Sequence, residues 1–533
     1  MKKQIPIVLF LLLFLVVCGV SAFGAEVQLP EKPHGASVTE PRQVMKPTDL
    51  SLPPELTPEN ASKAVCGACH VFPVPDLLDR ETWRTQTLPR MMIRMGLSPQ
   101  SIEAHPEAAL LKATGRFPSE PLVPMAVFDL IESYYTNQAP EHPVPQARRG
   151  EIHIGLAGFD VVRPKVHRLP AASTLVKISQ TDRRIYVGDA LAQKLEYFSA
   201  AGDFLGGLDV SNAPVALVEG REGFFLAMIG SFYPSEARLA ALVKLERTNN
   251  QVEIKRVILD QLPRTVDLAF GDFNQDGRED FALCVFGNVQ GRFSWYENLG
   301  SDRYREHVLL DKPGAVKCVV RDFNGDQRPD IAVLIAQESE MMMIFENLGN
   351  GKFASREVFH QHPLFGHTGF EVVDFNGDGR LDFLVTNGDN GEYPSPTKRY
   401  HGIRVYEDQG DRTYKQTFFY PLNGAFKAVA RDFDGDGDLD VAAISFFPDY
   451  NKSPEESFVY LENRGNGRYS AFTFRESISG RWLTMDVGDV DGDGDIDIVL
   501  GSYIRGPSAV PKFLMKDWEA TGSSFLILRN RLR

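Results

Sequence analysis

The strongest constraint on the fold is a nine-residue acidic pattern that occurs five times. It reads DFNQDGRED from Asp272, DFNGDQRPD from Asp322, DFNGDGRLD from Asp374, DFDGDGDLD from Asp432 and DVDGDGDID from Asp489. The first aspartates stand 50, 52, 58 and 57 residues apart. A repeat of about 54 residues is long enough for one supersecondary unit that must stack on its neighbours to bury its apolar faces. Each copy places oxygen donors at positions 1, 3, 5 and 9, the arrangement that hard cations such as calcium select. The side chains concerned are Asp272, Asn274, Asp276 and Asp280; Asp322, Asn324, Asp326 and Asp330; Asp374, Asn376, Asp378 and Asp382; Asp432, Asp434, Asp436 and Asp440; and Asp489, Asp491, Asp493 and Asp497. An EF-hand needs Glu at position 12, where this chain has Leu283, Val333, Val385, Ala443 and Leu500. Position 9 leads instead into β-rich apolar runs such as Ile331-Ala332-Val333-Leu334, so each loop joins two strands.

These loops resemble the FG-GAP or VCBS repeats of integrin-alpha-like β-propellers, a resemblance that implies calcium loops between the first two strands of each blade. Residues 151–533 divided by the repeat length give seven blades, within the usual range for propellers. Two blades without the ligand series are then expected at Ser173–Leu208 and Pro214–Leu259, leaving up to five calcium ions. A second repeated element, including Tyr296-Glu297-Asn298, Phe345-Glu346-Asn347 and Leu461-Glu462-Asn463, marks the end of each third strand. The chain stops after the last copy, so the stretch near Ile152 to Val162 is expected to supply the missing strand and close the ring.

Upstream lies a unit of different grammar. Cys66-Gly67-Ala68-Cys69-His70 is the CxxCH signature of covalent haem c, with two thiols for the vinyl groups and His70 as proximal ligand. A zinc knuckle would need a second paired cluster, and no other cysteine is near. Thr57-Pro58 starts a helix, and Val127, Leu130, Ile131, Tyr134 and Tyr135 follow a helical stripe. Over 57–140 the pattern resembles a small all-α cytochrome c domain. For the sixth ligand, Met91 in Leu88-Pro89-Arg90-Met91 is the first choice, followed by Met95, Met125 and His105.

Lys2 and Lys3 before the apolar run Ile5–Val17 read as a cleaved export signal over 1–25. Cys18 as a lipidated first residue is the alternative, although Val17 is bulkier than the residue usual before a lipid anchor. Residues 26–56 and 141–150 read as linkers. The expected organisation is therefore multidomain, a cytochrome c-like domain followed by an all-β seven-bladed propeller, placed in the periplasm or outside the cell. Cys284 and Cys318 read as buried free thiols.

The net charge of −14 argues against nucleic acid as partner. The seventeen ligand aspartates account for that surplus without any steering field. No GxSxG, HExxH, P-loop or GxGxxG motif is present, so an electron carrier is expected rather than a substrate-converting enzyme. The main functional reading is electron transfer to a redox partner docked on the propeller. The alternative is a ligand-binding or adhesion propeller, for a polysaccharide or a cell-surface partner, with an accessory haem. Long second-to-third-strand loops direct either partner to the rim away from the aspartate loops, over blades five and six. His360, His362, His367, Tyr400, His401, Asp449 and Tyr450 are the expected contacts.

Overall fold

The computed structural model describes residues 45–166, 168–248, 251–391, 395–506 and 510–532. The expected export signal and Cys18 lie outside them, as does the first part of the upstream linker.

Seven sheets, antiparallel but for one added strand, form a closed ring. Blades one to five are four-stranded and run Ser173–Asp209, Pro214–Leu262, Thr265–Leu310, Ala315–Gln361 and His367–Pro421. Blade six runs Ala425–Thr473 and blade seven Trp482–Asn530. The inner strand of each blade contacts that of the next, and Trp482–Gly488 of blade seven meets Ser173–Ser179 of blade one. The second strands explain the apolar runs in the sequence. Packed between neighbouring sheets, Asp280–Val285, Asp382–Asn387, Asp440–Ser445 and Asp497–Ser502 are buried along their whole length.

The ring is closed by chain from before the first blade. Phe159–Val162 pairs antiparallel with Phe525–Asn530 and completes blade seven. Ile152–Ile154 adds a parallel fifth strand to Tyr469–Thr473 of blade six. The sequence foresees one closing strand; the structure uses the same stretch twice, covering two outer edges that would otherwise expose unpaired backbone groups.

Ahead of the ring lies a group of short helices, among them Pro58–Cys66, Leu88–Arg94 and Met125–Gln138. Thr57 caps the first, its hydroxyl accepting the Asn60 N–H at 3.2 Å. Trp83 and Tyr135 pack with ring centroids 4.1 Å apart, and their polar atoms donate to the Pro75 and Pro73 carbonyls, each at 2.8 Å. The segment differs from the expected independent domain, because it shares one compact unit with the propeller. Tyr400 of blade five is part of its buried core, with Leu364 and Phe365 packed against it. The stretch 141–150 is likewise no free linker. Gln146 donates to the His401 carbonyl at 3.0 Å, and Arg149 pairs with Glu456, a carboxylate 1% exposed that demands a counter-charge.

Candidate functional site

The five aspartate loops lie between the first and second strands of blades three to seven. In all five the position-1 carboxylate accepts the position-6 N–H: from Gly277 at 2.9 Å, Gln327 at 2.8 Å, Gly379 at 2.8 Å, Gly437 at 3.1 Å and Gly494 at 3.2 Å. Position 9 has a further task. Asp280 accepts the Phe273 N–H at 3.0 Å with one oxygen and the Asn298 N–H at 2.7 Å with the other. Asp330 does the same for Phe323 and Asn347, and Asp497 for Val490 and Asn530. This clasp ties each loop to the end of the third strand, which explains why the Glu-Asn element repeats alongside the loops. Burial, followed by the neighbouring carboxylates, pushes Asp280 and Asp497 up to about 6.

The loops divide into two kinds. In blades three to five, Arg278, Arg328 and Arg380 at position 7 pair with the position-5 aspartate of their own loop. Blades six and seven carry Asp438 and Asp495 there instead. In those two, Asp432, Asp434 and Asp436, and Asp489, Asp491 and Asp493, bring one carboxylate oxygen each to within 4.8 Å of one another. Oxygen donors converging in this way suit a hard divalent cation, although in blade seven Arg529, from the last strand, also pairs with Asp491 at 3.3 Å.

At the other rim, Cys66 ends the helix Pro58–Cys66 and neither it nor Cys69 is in a disulfide. Cys66 packs against an apolar cluster together with Phe72, Leu130, Met92 and Met95. His70 Nδ1 lies 3.0 Å from the Val71 carbonyl, which leaves Nε2 as the nitrogen available to a metal. Two thiols at the right spacing, an apolar wall and a tethered imidazole fit a covalently attached haem. Among the expected sixth ligands, Met91 is half-buried and Met95 is packed against the Cys66 cluster. Met125 is 48% exposed, and His105 Nδ1 accepts the Glu107 N–H.

The helical segment sits on the rim that carries the long loops. Arg94 pairs with Glu338 at 2.9 Å, Arg116 with Asp311 at 3.1 Å, and Asp76 with Arg399 at 2.7 Å. Glu107 accepts the Glu236 N–H of blade two at 2.9 Å. Four of the expected contacts for an outside partner therefore face inward. Tyr400 and His362 lie against the helical segment's core, their rings 5.4 Å apart. His360 and Glu338 lie within electrostatic reach of His70. His367 is buried, its Nδ1 2.7 Å from Glu340, and burial drives both partners towards their neutral forms. Sequence reasoning saw the long loops but not their occupant, because Arg94, Arg116 and Glu107 look like ordinary surface charges.

His401, Asp449 and Tyr450 do come together. With Asn390, Asn423 and Phe447 they line a cavity of about 110 Å³ between blades five and six. Gly424 forms part of its wall at φ +63°, where a Cβ would lie 2.5 Å from the Phe447 backbone. Asn390 and Asn423 carried no motif in the sequence. Cys284 and Cys318 are buried free thiols beside Asp267.

Residues 272–333, 322–385 and 432–500 match the FG-GAP-like repeat family, stretches that contain all five loops. Cartilage acidic protein 1 of Mus musculus and of Homo sapiens are each 26% identical over 189 residues. That match covers 31% of this chain and about a quarter of either relative, 26% and 25%. Among solved structures, Saccharomyces cerevisiae Sqt1 aligns with 69% of this chain and 99% of its own, at 7% identity and a TM-score of 0.43. The Dos1 propeller aligns with 68% of this chain and 78% of its own, at 7% identity and a TM-score of 0.39. Loop pattern, ring of seven sheets and family match agree that this chain carries FG-GAP repeats on a seven-bladed β-propeller.

Proposed function

We propose that this is an exported binding protein whose calcium-loaded propeller takes a ligand or partner on the rim opposite the aspartate loops, and which carries one haem c in its helical segment. The observation that carries the reading is the shared rim: the CxxCH segment and the cavity between blades five and six both lie among the long loops. Bound through Cys66, Cys69 and His70, the haem would supply one-electron chemistry. This chain's residues supply its surroundings. The Val71 carbonyl orients His70, Met95 and Phe72 exclude water, and Glu338 and His360 set the local charge.

Electron transfer to a docked partner is the second reading, favoured by those two propeller residues beside His70. The test is expression with c-type haem maturation, followed by acid-acetone extraction. Retained haem that disappears in the Cys66→Ser, Cys69→Ser double variant supports the haem; stoichiometric zinc without porphyrin overturns it. Replacing Met95 should remove the sulfur-to-iron absorption band and lower the potential, and if the band survives, Met91 is next. Reduction of the native chain by a captured redox protein would favour electron transfer over binding.

A further inference from the structure

Four polar atoms that meet no hydrogen-bond partner converge on the cavity between blades five and six: Asn390 Oδ1, His401 Nε2, Asn423 Oδ1 and Tyr450 OH. Three of these side chains are deeply buried, His401 at 1%, Asn390 at 5% and Tyr450 at 6% exposure. Unpartnered buried polar groups cost free energy, and four around one cavity favour a ligand that can hydrogen-bond.

The orientation of the amides is fixed from behind. Asn390 Nδ2 donates to the Pro396 carbonyl at 2.6 Å, and Asn423 Nδ2 to Glu456 at 3.1 Å, so both amides turn an acceptor towards the cavity. Asp449 adds a carboxylate, and Phe447 adds an apolar face. An acceptor-rich wall repels carboxylate and phosphate groups. Cations are opposed from the other side. Lys398 and Arg404 lie close enough to His401 to hold its imidazole neutral, after burial itself. Arg481, stacked 3.7 Å over the Phe446 ring, sits buried beside Tyr450. What satisfies acceptors without bringing charge, and covers an aromatic face, is a ring bearing hydroxyls.

We propose that this cavity is a subsite for a neutral saccharide, with Asn390, Asn423 and Asp449 accepting from its hydroxyls, Tyr450 and His401 completing the network, and Phe447 packing against the sugar ring. The proposal deepens the binding reading above and rests on it.

The test uses the full chain and a panel of neutral oligosaccharides of glucose, galactose, mannose and N-acetylglucosamine, titrated calorimetrically. Oligogalacturonate and chitosan oligomers serve as the anionic and cationic counterparts. At least one neutral glycan should bind. Tyr450→Phe should weaken it about tenfold while the chain still melts as one cooperative unit. Asn451→Trp, at the exposed mouth, should abolish binding without loss of fold. If a neutral glycan binds Asn451→Trp as well as native chain, the subsite is wrong while the binding propeller stands. Tighter binding of either charged oligomer overturns the assignment to a neutral ligand. Absence of any glycan binding by native chain overturns the saccharide, and partner capture then decides the broader reading separately.

Discussion

Gln275 and Gln327 are held at φ 62° and 66° in loops where the other copies place glycine, at φ between 73° and 96°. A side chain in this region costs roughly 1 kcal/mol, partly offset by the extra freedom that glycine brings to the unfolded chain. Gln275→Gly and Gln327→Gly should each raise the urea midpoint, by no more than about 1 kcal/mol at unchanged slope. A lower midpoint for both would mean that the side chains make compensating contacts. Position 9 carries a larger cost. Asp330→Ala strands the buried N–H of Asn347 and the part-buried N–H of Phe323, and should destabilise by about 2 kcal/mol. With both variants compared in excess chelator, so that lost calcium does not enter, Asp326→Ala, at a more exposed position paired mainly with its own loop's Arg328, should cost less than about 1 kcal/mol. Equal losses in the two variants would refute the clasp.

At the scale of one element, blade five concentrates histidines that burial keeps neutral. His362 is lowered to about 4 and His367 to about 3, burial being the main cause in each, and His401 lies well below its ordinary value. In the unfolded chain these groups protonate near 6.5, so below that pH the unfolded state binds more protons than the folded one. Their contribution is complete above pH 6.5 and is lost as the pH falls towards 4. At pH 5.5 each costs about 1.4 kcal/mol. Urea titrations from pH 7.5 to 5 should show the midpoint falling, and His362→Phe should flatten the slope; a midpoint independent of pH would place these rings in water. The aspartate loops differ in the same element-wise way. Blades six and seven, lacking the loop arginine, should retain calcium at chelator concentrations that strip blades three to five, measured as ions left per chain.

For the whole molecule, closure is made three times over. Phe159–Val162 zips the last blade shut. Between inner strands, carboxylates reach the backbone of the next blade: Asp267 to the Cys318 N–H, Glu371 to Ala430 and Asp486 to Ile178. The helical segment then bridges blades two to five. Its ion pairs are part-exposed and worth under about 1 kcal/mol each, so Tyr400 and Phe365 in the shared apolar core hold it more firmly. Calorimetry should therefore give one transition for helices and ring, shifted as a unit to lower temperature by chelator through lost ligand linkage. Two resolved transitions, only one of them chelator-sensitive, would show that the helical segment folds on its own.

The sequence by itself determined the repeating unit, since Asp-x-Asn/Asp-x-Asp loops at fixed spacing followed by apolar runs admit few structures other than stacked blades. It also set the thiols of Cys66 and Cys69 and the imidazole of His70 side by side, because they are neighbours along the chain. What it left open was everything that depends on residues distant in sequence. That the position-9 aspartates also clasp the third strand became visible only when Asn298, Asn347 and Asn530 were brought against them. The long loops looked free until Arg94, Arg116 and Glu107 were placed on them. Asn390 and Asn423, 33 residues apart by their numbering, became one wall only when blades five and six were packed side by side. Local pattern fixes which strands form, because alternation and turn residues act within a few residues. Which polar atoms end up facing an empty space is decided by the packing of whole sheets, and no local signal carries it.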